Sequence, residues 1–481
     1  MSKLKRLAGE TVLYGLGSIV PRVINFFLLL PQTSVFDPEE YGVITDLYAW
    51  VAFLNVLYTF GMETAYFRFS TKEGADPKYV FNAAQTAVTM ITIVLSIGFF
   101  LFSVPFSNAI SSSDHPEYVL WMIGIISVDA LVAIPFAKLR LEKKALTFAV
   151  ARILNVVVIV ALNIYFLKVA YNPSIGVAYV FIINLFANAL YFLFFIKTFL
   201  NWRPLFDRKM IATMINYSYP IMITGLAGAT NEMFSRITLK SWLPENFYPG
   251  KSGEYALGVF GACYKFAVFM NLAVQAFRFA AEPFFFSNAK DKNSPELFAA
   301  VNHYFIIICC ILLFGVSMNM EIFKHLLRDE AYWEGLSIVP ILLTAYLFSG
   351  IYYNLTVWFK LTDRTHFGTY ITLGGAIITI LMNYILIPVA GYVGSSWAAL
   401  ICYFSMAAAC YMLGQKYYPI PYKLISGLAY IFMTVITIYA LQQIKISGYW
   451  ISIITRNFIL VVYLLVIYAL ERKNLRVSFG L

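Results

Sequence analysis

The chain has 481 residues, of which 60% are hydrophobic and only 12% are charged, whereas an ordinary soluble domain is about 25% charged. Its formal net charge is +10 at pH 7, but at this hydrophobicity the basic residues report membrane topology and not a nucleic-acid surface. The composition therefore excludes a soluble fold and a nucleic-acid partner, and it predicts an integral membrane protein.

Apolar stretches of about 20 residues follow one another along nearly the whole chain, and they must be helices because hydrocarbon cannot satisfy free backbone groups. We predict an all-α polytopic membrane protein with about 14 transmembrane helices. The predicted spans are 11–31, 42–62, 80–103, 118–137, 148–167, 174–196, 211–234, 255–276, 298–319, 336–357, 368–388, 393–414, 424–443 and 450–470.

The first apolar stretch follows a basic segment, as in a signal peptide, but it continues through Arg22 to Leu30 without a small-residue cleavage site. It is therefore predicted to be a retained helix. With the amino terminus inside, the inside connectors hold 24 of the 35 basic residues and the outside connectors hold seven. This asymmetry predicts that both termini are cytoplasmic.

The connector between the sixth and seventh spans contains Pro204 and four basic residues. It is the predicted boundary between an N-terminal six-helix lobe at 1–203 and a C-terminal six-helix lobe at 204–418, followed by two further helices and a cytoplasmic tail at 419–481. The second helix of each lobe carries a similar pattern, in which Tyr48 and Tyr264 hold equivalent places. A duplication of six helices or chance would both explain that pattern.

The five cysteines lie in apolar spans without ligand-like spacing, and the four histidines are scattered. We therefore predict no disulfide and no metal site. No Walker-type phosphate loop is present in the sequence, so no nucleotide or other cofactor is predicted.

One face of the first helix is polar, because its hydrophilic and small residues recur at spacings of three and four. They are Thr11, Gly15, Ser18, Arg22 and Asn25. This face is predicted to line a wet cavity. Helix packing, with Arg22 paired to a neighbouring carboxylate, would give the same pattern.

The seventh helix carries Glu232, Arg236 and Lys240 at intervals of four, so the three side chains share one side of the helix. An exposed helix end with internal ion pairs would look the same. Lys265 in the eighth helix is surrounded by apolar sequence, and a lysine in mid-span cannot easily reach the interface.

Asp46 and Asp129 are the acidic counterparts in the second and fourth helices. Together with Glu232 they are predicted either to pair with the basic groups or to be protonatable sites that couple transport to an ion. Bases outnumber acids within the first, seventh and eighth helices, which predicts an anionic ligand such as a phosphate or pyrophosphate head group. Arg22, Lys265, Arg236, Asn25 and Ser18 are the predicted binding residues.

Two segments resemble polysaccharide flippases of the multidrug/oligosaccharidyl-lipid/polysaccharide exporter superfamily, whose cargoes include O-antigen precursors. The segment from Asp37 to Phe69 is similar to the first loop and second helix of that family. The segment from Asn383 to Tyr403 is similar to its pattern joining the eleventh and twelfth helices.

The resemblance implies two six-helix lobes in a V, with alternating access, in a bacterial inner membrane. The implied cargo is an undecaprenyl-pyrophosphate-linked oligosaccharide. Other implied partners are membrane lipids, H⁺ or Na⁺ as coupling ion, and glycan polymerases or ligases. Relatives that flip the peptidoglycan precursor use basic residues on the first and eighth helices, where this chain has Arg22 and Lys265. Those relatives tend to have arginine at the second position, and their basic residue near the second helix has no mid-span match here. Asp46 would correspond to the acidic site of related drug exporters.

Three other functions stay open at the level of sequence. An ion-coupled exporter of cationic compounds would need an acidic cavity, which the charge balance disfavours. A membrane-embedded glycan ligase or polymerase would need a sizeable outside loop or surface carboxylates, and the outside connectors are only about 20 residues long. A scaffold for glycan assembly would leave the intramembrane charges unexplained.

Overall fold

The computed structural model describes residues 3–110, 115–289, 291, 293–444 and 448–479, and within these residues it contains helices and no strands. The long helices of the first half are α1 (Lys3–Phe26), α2 (Pro38–Thr59), α3 (Pro77–Leu101), α4 (Glu117–Leu141), α5 (Ala145–Lys168), α6 (Ala178–Phe194) and α7 (Arg208–Trp242). Those of the second half are α8 (Gly253–Asn288), α9 (Ser294–Met318), α10 (Val339–Leu355), α11 (366–390), α12 (392–417), α13 (Leu424–Gln442) and α14 (Tyr449–Phe479).

Eleven helical segments in the described part of the chain are long and apolar enough to cross a membrane. One of them, His366–Tyr417, is 52 residues long and consists of the two helices α11 and α12. The shorter apolar helix α6 and the more polar α7 bring the number to fourteen. The predicted all-α, multi-pass membrane fold is therefore confirmed.

The α11–α12 hairpin turns at Gly391, whose φ of 55° and ψ of −133° are outside the helical region. A side chain could not occupy this position, since a Cβ on Gly391 would lie 2.2 Å from the Tyr248 hydroxyl. The two arms run antiparallel, because the Cys402 thiol on α12 lies 3.5 Å from the Gly375 carbonyl on α11. A single glycine thus separates two spans that follow without a polar loop.

Several helices extend beyond the predicted spans. The predicted ends at 234 and 276 were wrong, because α7 continues to Trp242 and α8 continues to Asn288. Polar residues there remain helical, since the backbone bonds do not depend on side-chain hydropathy. Likewise α2 starts at Pro38 and not at 42, because Asp37 and Glu40 form a reciprocal capping box around its first turn.

The segment before α7 is fixed to the start of α3. The backbone N–H of Arg203 donates to Asn82 over 3.3 Å, and that of Leu205 donates to Thr86 over 2.9 Å. Asp207 then caps α7 and accepts a hydrogen bond from the Tyr79 hydroxyl, which lowers the pKa of Asp207 below its usual range. The predicted boundary segment is therefore an ordered connection.

Two helices occupy the centre of the bundle. Helix α2 packs against α4, α7 and α8, and α8 also packs against α1 and α10. At the periphery α1 packs against α5, α7 against the α11–α12 hairpin, and α9 against α13 and α14. We call the side at which α1 begins and α14 ends the terminal face, and the other side the opposite face.

Helices α2 and α8 touch backbone to backbone near the opposite face. A Cβ on Gly258 would lie 1.7 Å from the Pro38 carbonyl oxygen, and one on Gly42 would lie 2.0 Å from the Glu254 carbonyl oxygen. A Cβ on Gly261, one turn further along α8, would lie 2.2 Å from the Thr45 hydroxyl. This stripe of glycines lets the two central helices approach as closely as membrane helices can.

Gly258→Ala is expected to destabilise the protein, because the added methyl group would have to push α2 and α8 apart. Forcing extra carbon into a packed interface costs about 1–3 kcal/mol. The matched control is Gly374→Ala, since a Cβ on Gly374 meets nothing within 4 Å. Thermal unfolding of the purified protein in detergent measures both, and equal melting temperatures for the two variants would contradict the close crossing.

Candidate functional site

A polar cavity lies between the central helices, and it has two adjoining parts. The first part, of about 270 Å³, is lined by α1, α2, α5, α6, α7 and α8, and Gln32, Tyr48, Asn163 and Asn184 are characteristic of it. We call it the amide part. The second, the basic part, has about 260 Å³ and also contains Arg22, Glu232 and Asn271. Each part approaches the lower end of the usual size of small-molecule sites, about 300 to 1,000 Å³.

Four residues line both parts and therefore mark where they join. They are Asn25, Arg236, Tyr264 and Lys265. Lys265 lies 12 residues into α8, about 18 Å along the helix axis, whereas Arg236 lies six residues before the end of α7, about 9 Å along it. The junction is thus within the span, on the side of the opposite face.

Two of the three cations in the cavity, Arg236 and Lys265, contact aromatic rings or a sulfur atom in place of carboxylates. The guanidinium carbon of Arg236 lies 3.8 Å from the centre of the Tyr264 ring, and its Nη1 lies 3.2 Å from the Met233 sulfur. The Lys265 ammonium lies 5.6 Å from the centre of the Tyr41 ring. Such contacts attract a cation by about 0.5–2 kcal/mol without neutralising it.

No ion pair involving Arg22, Arg236 or Lys265 occurs among the residues that the structure describes. The Nε of Arg236 is moreover buried without a hydrogen-bond partner in that part of the chain. A charged group at the centre of a membrane helix costs about 2.5–3.5 kcal/mol even on insertion-based scales. These cations therefore need water or an anion in the cavity.

Glu232 is the only acidic side chain among the described residues that line either part. It stands one turn from Arg236 on α7, as the spacing predicted, but makes no ion pair with it in the described structure. With three basic side chains and one acidic side chain, the cavity is cationic.

The other predicted site residues lie elsewhere. The Ser18 hydroxyl donates to the Tyr14 carbonyl of its own helix over 2.9 Å, and Ser18 is not among the residues that line the cavity. Asp46 and Asp129 are also absent from the lining, so the structure does not bring them to Arg22 and Lys265.

Asp46 forms a buried ion pair with Lys240. Its carboxylate lies 2.6 Å from the lysine ammonium, and the two side chains are 1% and 4% exposed. Lys240 also donates to the backbone carbonyl of Ile110. The pair joins α2 to the end of α7. The basic residues of the α7 stripe therefore have different surroundings, since Arg236 lines the cavity and Lys240 pairs with a carboxylate.

Further contacts join the two halves of the chain at the opposite face. The Tyr332 hydroxyl, in the 3-10 segment Glu330–Ile338, donates to the Phe36 carbonyl over 2.8 Å. The backbone N–H of Arg328 donates to the Thr33 hydroxyl over 3.2 Å. These bonds lie beside the Gly42–Gly258 crossing, so the connector after α1 is held against the second half of the chain.

Asp129 belongs to a polar network inside the first half of the chain. It accepts a hydrogen bond of 2.9 Å from Asn188, which in turn accepts one of 3.1 Å from Asn155. The Arg152 charge lies near enough to interact with Asp129, and its guanidinium stacks 4.3 Å from the Phe136 ring. The network links α4, α5 and α6.

Most residues of the amide part were not predicted from the sequence. No pattern distinguished Gln32, Asn163 and Tyr41, because isolated polar residues in apolar helices are as often helix contacts as cavity lining. A pattern did distinguish Tyr48 and Tyr264, since they are the equivalent tyrosines of the two predicted lobes. Both line the cavity.

A larger cavity of about 320 Å³ lies between α9, α10, α12 and α13. Its walls are almost entirely apolar, with Phe348, Phe404 and Leu428 among them. It suits a hydrocarbon chain and not a charged ligand. The polar cavity is therefore the candidate functional site.

Comparisons with known proteins agree on one kind of fold. The family model described as "Polysaccharide biosynthesis protein" matches residues 7–289. No curated protein shows significant sequence similarity to the chain.

Among solved structures, the chain is similar to the lipid II flippase MurJ in an inward closed conformation, with a TM-score of 0.75, 14% identity, and coverage of 95% of this chain and 99% of that one. It is also similar to an inward-facing MATE multidrug transporter of the MOP superfamily, with a TM-score of 0.59, 13% identity and coverage of 91% and 96%. For the MATE multidrug transporter DinF-BH the TM-score is 0.58 and the identity is 16%, with coverage of 86% of this chain and 96% of that one. These likenesses establish the fold.

Removing one partner of the Asp46–Lys240 pair is expected to destabilise the protein more than removing both. Asp46→Asn or Lys240→Met alone leaves a buried charge without its partner, at a cost of about 3–5 kcal/mol. The double variant should recover most of that loss. The measurement is the thermal unfolding of the two single variants and the double variant. Losses of stability that are strictly additive in the double variant would contradict the direct pairing.

Proposed function

Because the chain belongs to the family of polysaccharide biosynthesis proteins, we propose that it is a flippase. Its cargo is an oligosaccharide linked to undecaprenyl pyrophosphate, moved from the cytoplasmic to the outer leaflet of a bacterial inner membrane. The observation that carries this proposal is the cavity inside a membrane-spanning bundle, where Arg22, Arg236 and Lys265 make no ion pair with any of the described residues.

A pyrophosphate matches these cations in charge and in hydrogen bonding. Arg22 and Arg236 offer planar guanidinium groups that can bind two phosphate oxygens at once, and Lys265 offers a point charge with three donors. Charge-assisted hydrogen bonds of this kind contribute about 1.5–3 kcal/mol each. The pyrophosphate would therefore offset the cost of holding three cations at this depth.

The proposed orientation of the protein in the membrane rests on the distribution of basic residues. We assign the terminal face to the cytoplasm, because the connectors at that face carry most of the lysine and arginine. The cavity is then closed towards the outer leaflet by the Gly42–Gly258 crossing and the Asp46–Lys240 pair. This arrangement supports alternating access, in which the six-helix units 1–203 and 204–418 separate at the opposite face while the helices 419–481 stay outside the cavity.

Glu232 is the best candidate for coupling to H⁺ or Na⁺. It is the one carboxylate among the described residues lining the cavity, and it lines the same part as the proposed pyrophosphate ligands. A carboxylate beside a bound anion repels it unless the carboxylate is protonated or holds a cation. Binding of the coupling ion to Glu232 would thus favour binding of the pyrophosphate. Asp129, enclosed in its amide network, is assigned a structural role.

Arg22→Ala and Lys265→Ala are each expected to reduce flipping at least about tenfold, because each removes a charge-assisted contact to the pyrophosphate. The measurement is flipping of a fluorescent polyprenyl-pyrophosphate oligosaccharide in proteoliposomes. Lys168→Ala is the matched control, since Lys168 is exposed at the end of α5. Lys265→Arg should retain most activity. Transport by the two alanine variants at the control rate would refute the cationic site.

Glu232→Gln is expected to abolish the response of transport to an imposed proton or sodium gradient while leaving pyrophosphate-lipid binding intact. The change keeps the side-chain shape and removes the carboxylate that would hold the coupling ion. Glu245→Gln, at an exposed position between α7 and α8, is the control. A gradient response unchanged in Glu232→Gln would rule out this residue as the coupling site.

A further inference from the structure

The amide part of the cavity differs in chemistry from the basic part. Apart from Arg236 and Lys265 at the junction, its polar lining consists of neutral groups: the amides of Asn25, Gln32, Asn163 and Asn184, the Thr45 hydroxyl, and tyrosine hydroxyls. No carboxylate lines it among the described residues. A ligand held here is therefore recognised by neutral hydrogen bonds and not by charge.

These amides and hydroxyls have bonding capacity to spare. The Asn184 amide donates to the Tyr48 hydroxyl over 2.8 Å, which leaves the hydroxyl proton of Tyr48 free to donate in turn. Gln32 donates to Asn163 over 3.5 Å, at the limit of a hydrogen bond. Side chains in the amide part can therefore both donate and accept hydrogen bonds. They match a ligand whose own groups also donate and accept, as hydroxyl and acetamido groups do.

Aromatic side chains complete the lining. Tyr41, Tyr48 and Tyr264 all border the amide part. Each combines an apolar ring with a polar hydroxyl. A pyranose ring has the complementary pattern, with an apolar C–H face and a polar edge. Phosphate oxygens or a hydrocarbon chain would leave one of these two kinds of surface unused.

The two parts are also arranged in the order of a lipid-linked sugar. In the amide part, Gln32 and Asn163 lie near the ends of their helices at the opposite face, and Asn184 lies in the half of α6 that begins at that face. The basic part lies deeper in the span. A cargo whose pyrophosphate occupies the basic part would place the next group of its head, the first sugar, in the amide part, against the closed end of the cavity.

We propose that the amide part is a binding subsite for the sugar attached directly to the pyrophosphate, and that it selects a neutral hydroxylated or N-acetylated sugar. This inference rests on the proposed function. Selection against an acidic sugar follows because the cations at the junction are engaged by the pyrophosphate, so that a carboxylate in the amide part would be buried without a partner.

The test compares binding of two probes to the full-length protein in lipid nanodiscs. One probe is a polyprenyl pyrophosphate without sugar, and the other carries a single neutral N-acetylhexosamine. Native protein is expected to bind the sugar-bearing probe about tenfold more tightly. Tyr48→Phe and Asn184→Leu should each weaken binding of that probe roughly 3- to 10-fold, the loss of about one hydrogen bond, without changing binding of the bare probe.

Asn155→Leu is the matched control for Asn163→Leu, since both residues lie on α5 and Asn155 hydrogen-bonds to Asn188 outside the cavity. Asn163→Leu should reproduce the selective loss and Asn155→Leu should not. Tyr48→Phe keeps the ring and so separates recognition from folding. A third probe carrying a hexuronic acid in place of the neutral sugar should bind at least tenfold more weakly than the neutral one.

The outcomes separate this inference from the proposed function. Equal affinity of native protein for the bare and sugar-bearing probes would overturn the sugar subsite and leave the flippase proposal standing. Variants that weaken both probes equally, or neither, would overturn it as well, as would equal binding of the acidic and neutral sugars. Failure of native protein to bind any polyprenyl pyrophosphate would instead overturn the flippase proposal.

Discussion

The cost of a charge inside the bilayer is the constraint on which the rest of this structure depends. The described helices resolve that cost in two different ways. Lys240 is neutralised by Asp46 at 2.6 Å, and the pair is enclosed by protein. Arg236, one turn away on the same helix, lies over the ring of Tyr264 and has no acid beside it in the described part of the chain. A paired charge holds helices together, whereas a charge on a cavity wall with no acid beside it depends on water or an anion in the cavity.

These two arrangements are connected through the crossing of α2 and α8. The glycines at 42, 258 and 261 bring the helices into backbone contact, and the same approach places Thr45 and Tyr41 of α2 against the cavity beside Lys265 of α8. Closure and the shape of the site therefore depend on the same contact. If α2 and α8 separated, the Tyr41 ring would leave Lys265 and the cavity would open at the opposite face, so release of a bound head group and opening would be a single event.

Much of the fold was predictable because membrane-spanning helices can be recognised from the hydropathy of the sequence. The fourteen predicted spans each correspond to a helix. Even the α11–α12 hairpin, which has no polar loop, was predicted as two spans, and Gly391 lies in the predicted gap between 388 and 393. The resemblance carried by Asp37 to Phe69 pointed to the family that the residues 7–289 match. Helix ends were less predictable, since the ends of α7 and α8 are polar and remain helical for reasons of backbone bonding.

The site was predictable only in part, for a geometric reason. Spacing along one helix decides which side chains share a face, and Arg22 with Asn25, like Glu232 with Arg236, line the same part of the cavity. Spacing cannot decide what stands opposite that face. Ser18 shares the polar face of α1 but bonds to its own helix, and Asp46 is mid-span but meets Lys240 and not the cavity. Those outcomes depend on how separate helices rotate against each other.

The sign of the cavity charge is what distinguishes the two kinds of cargo associated with this fold. The fold is shared by structures named as a lipid II flippase and as multidrug transporters, so it does not by itself select a cargo. A cationic compound entering this cavity would meet three basic side chains and a single carboxylate at low dielectric, where like charges repel strongly. A lipid-linked pyrophosphate would meet the opposite field. The apolar outer surfaces of the helices would receive its lipid chain, which need not enter the cavity at all, while the charged head is enclosed by the central helices.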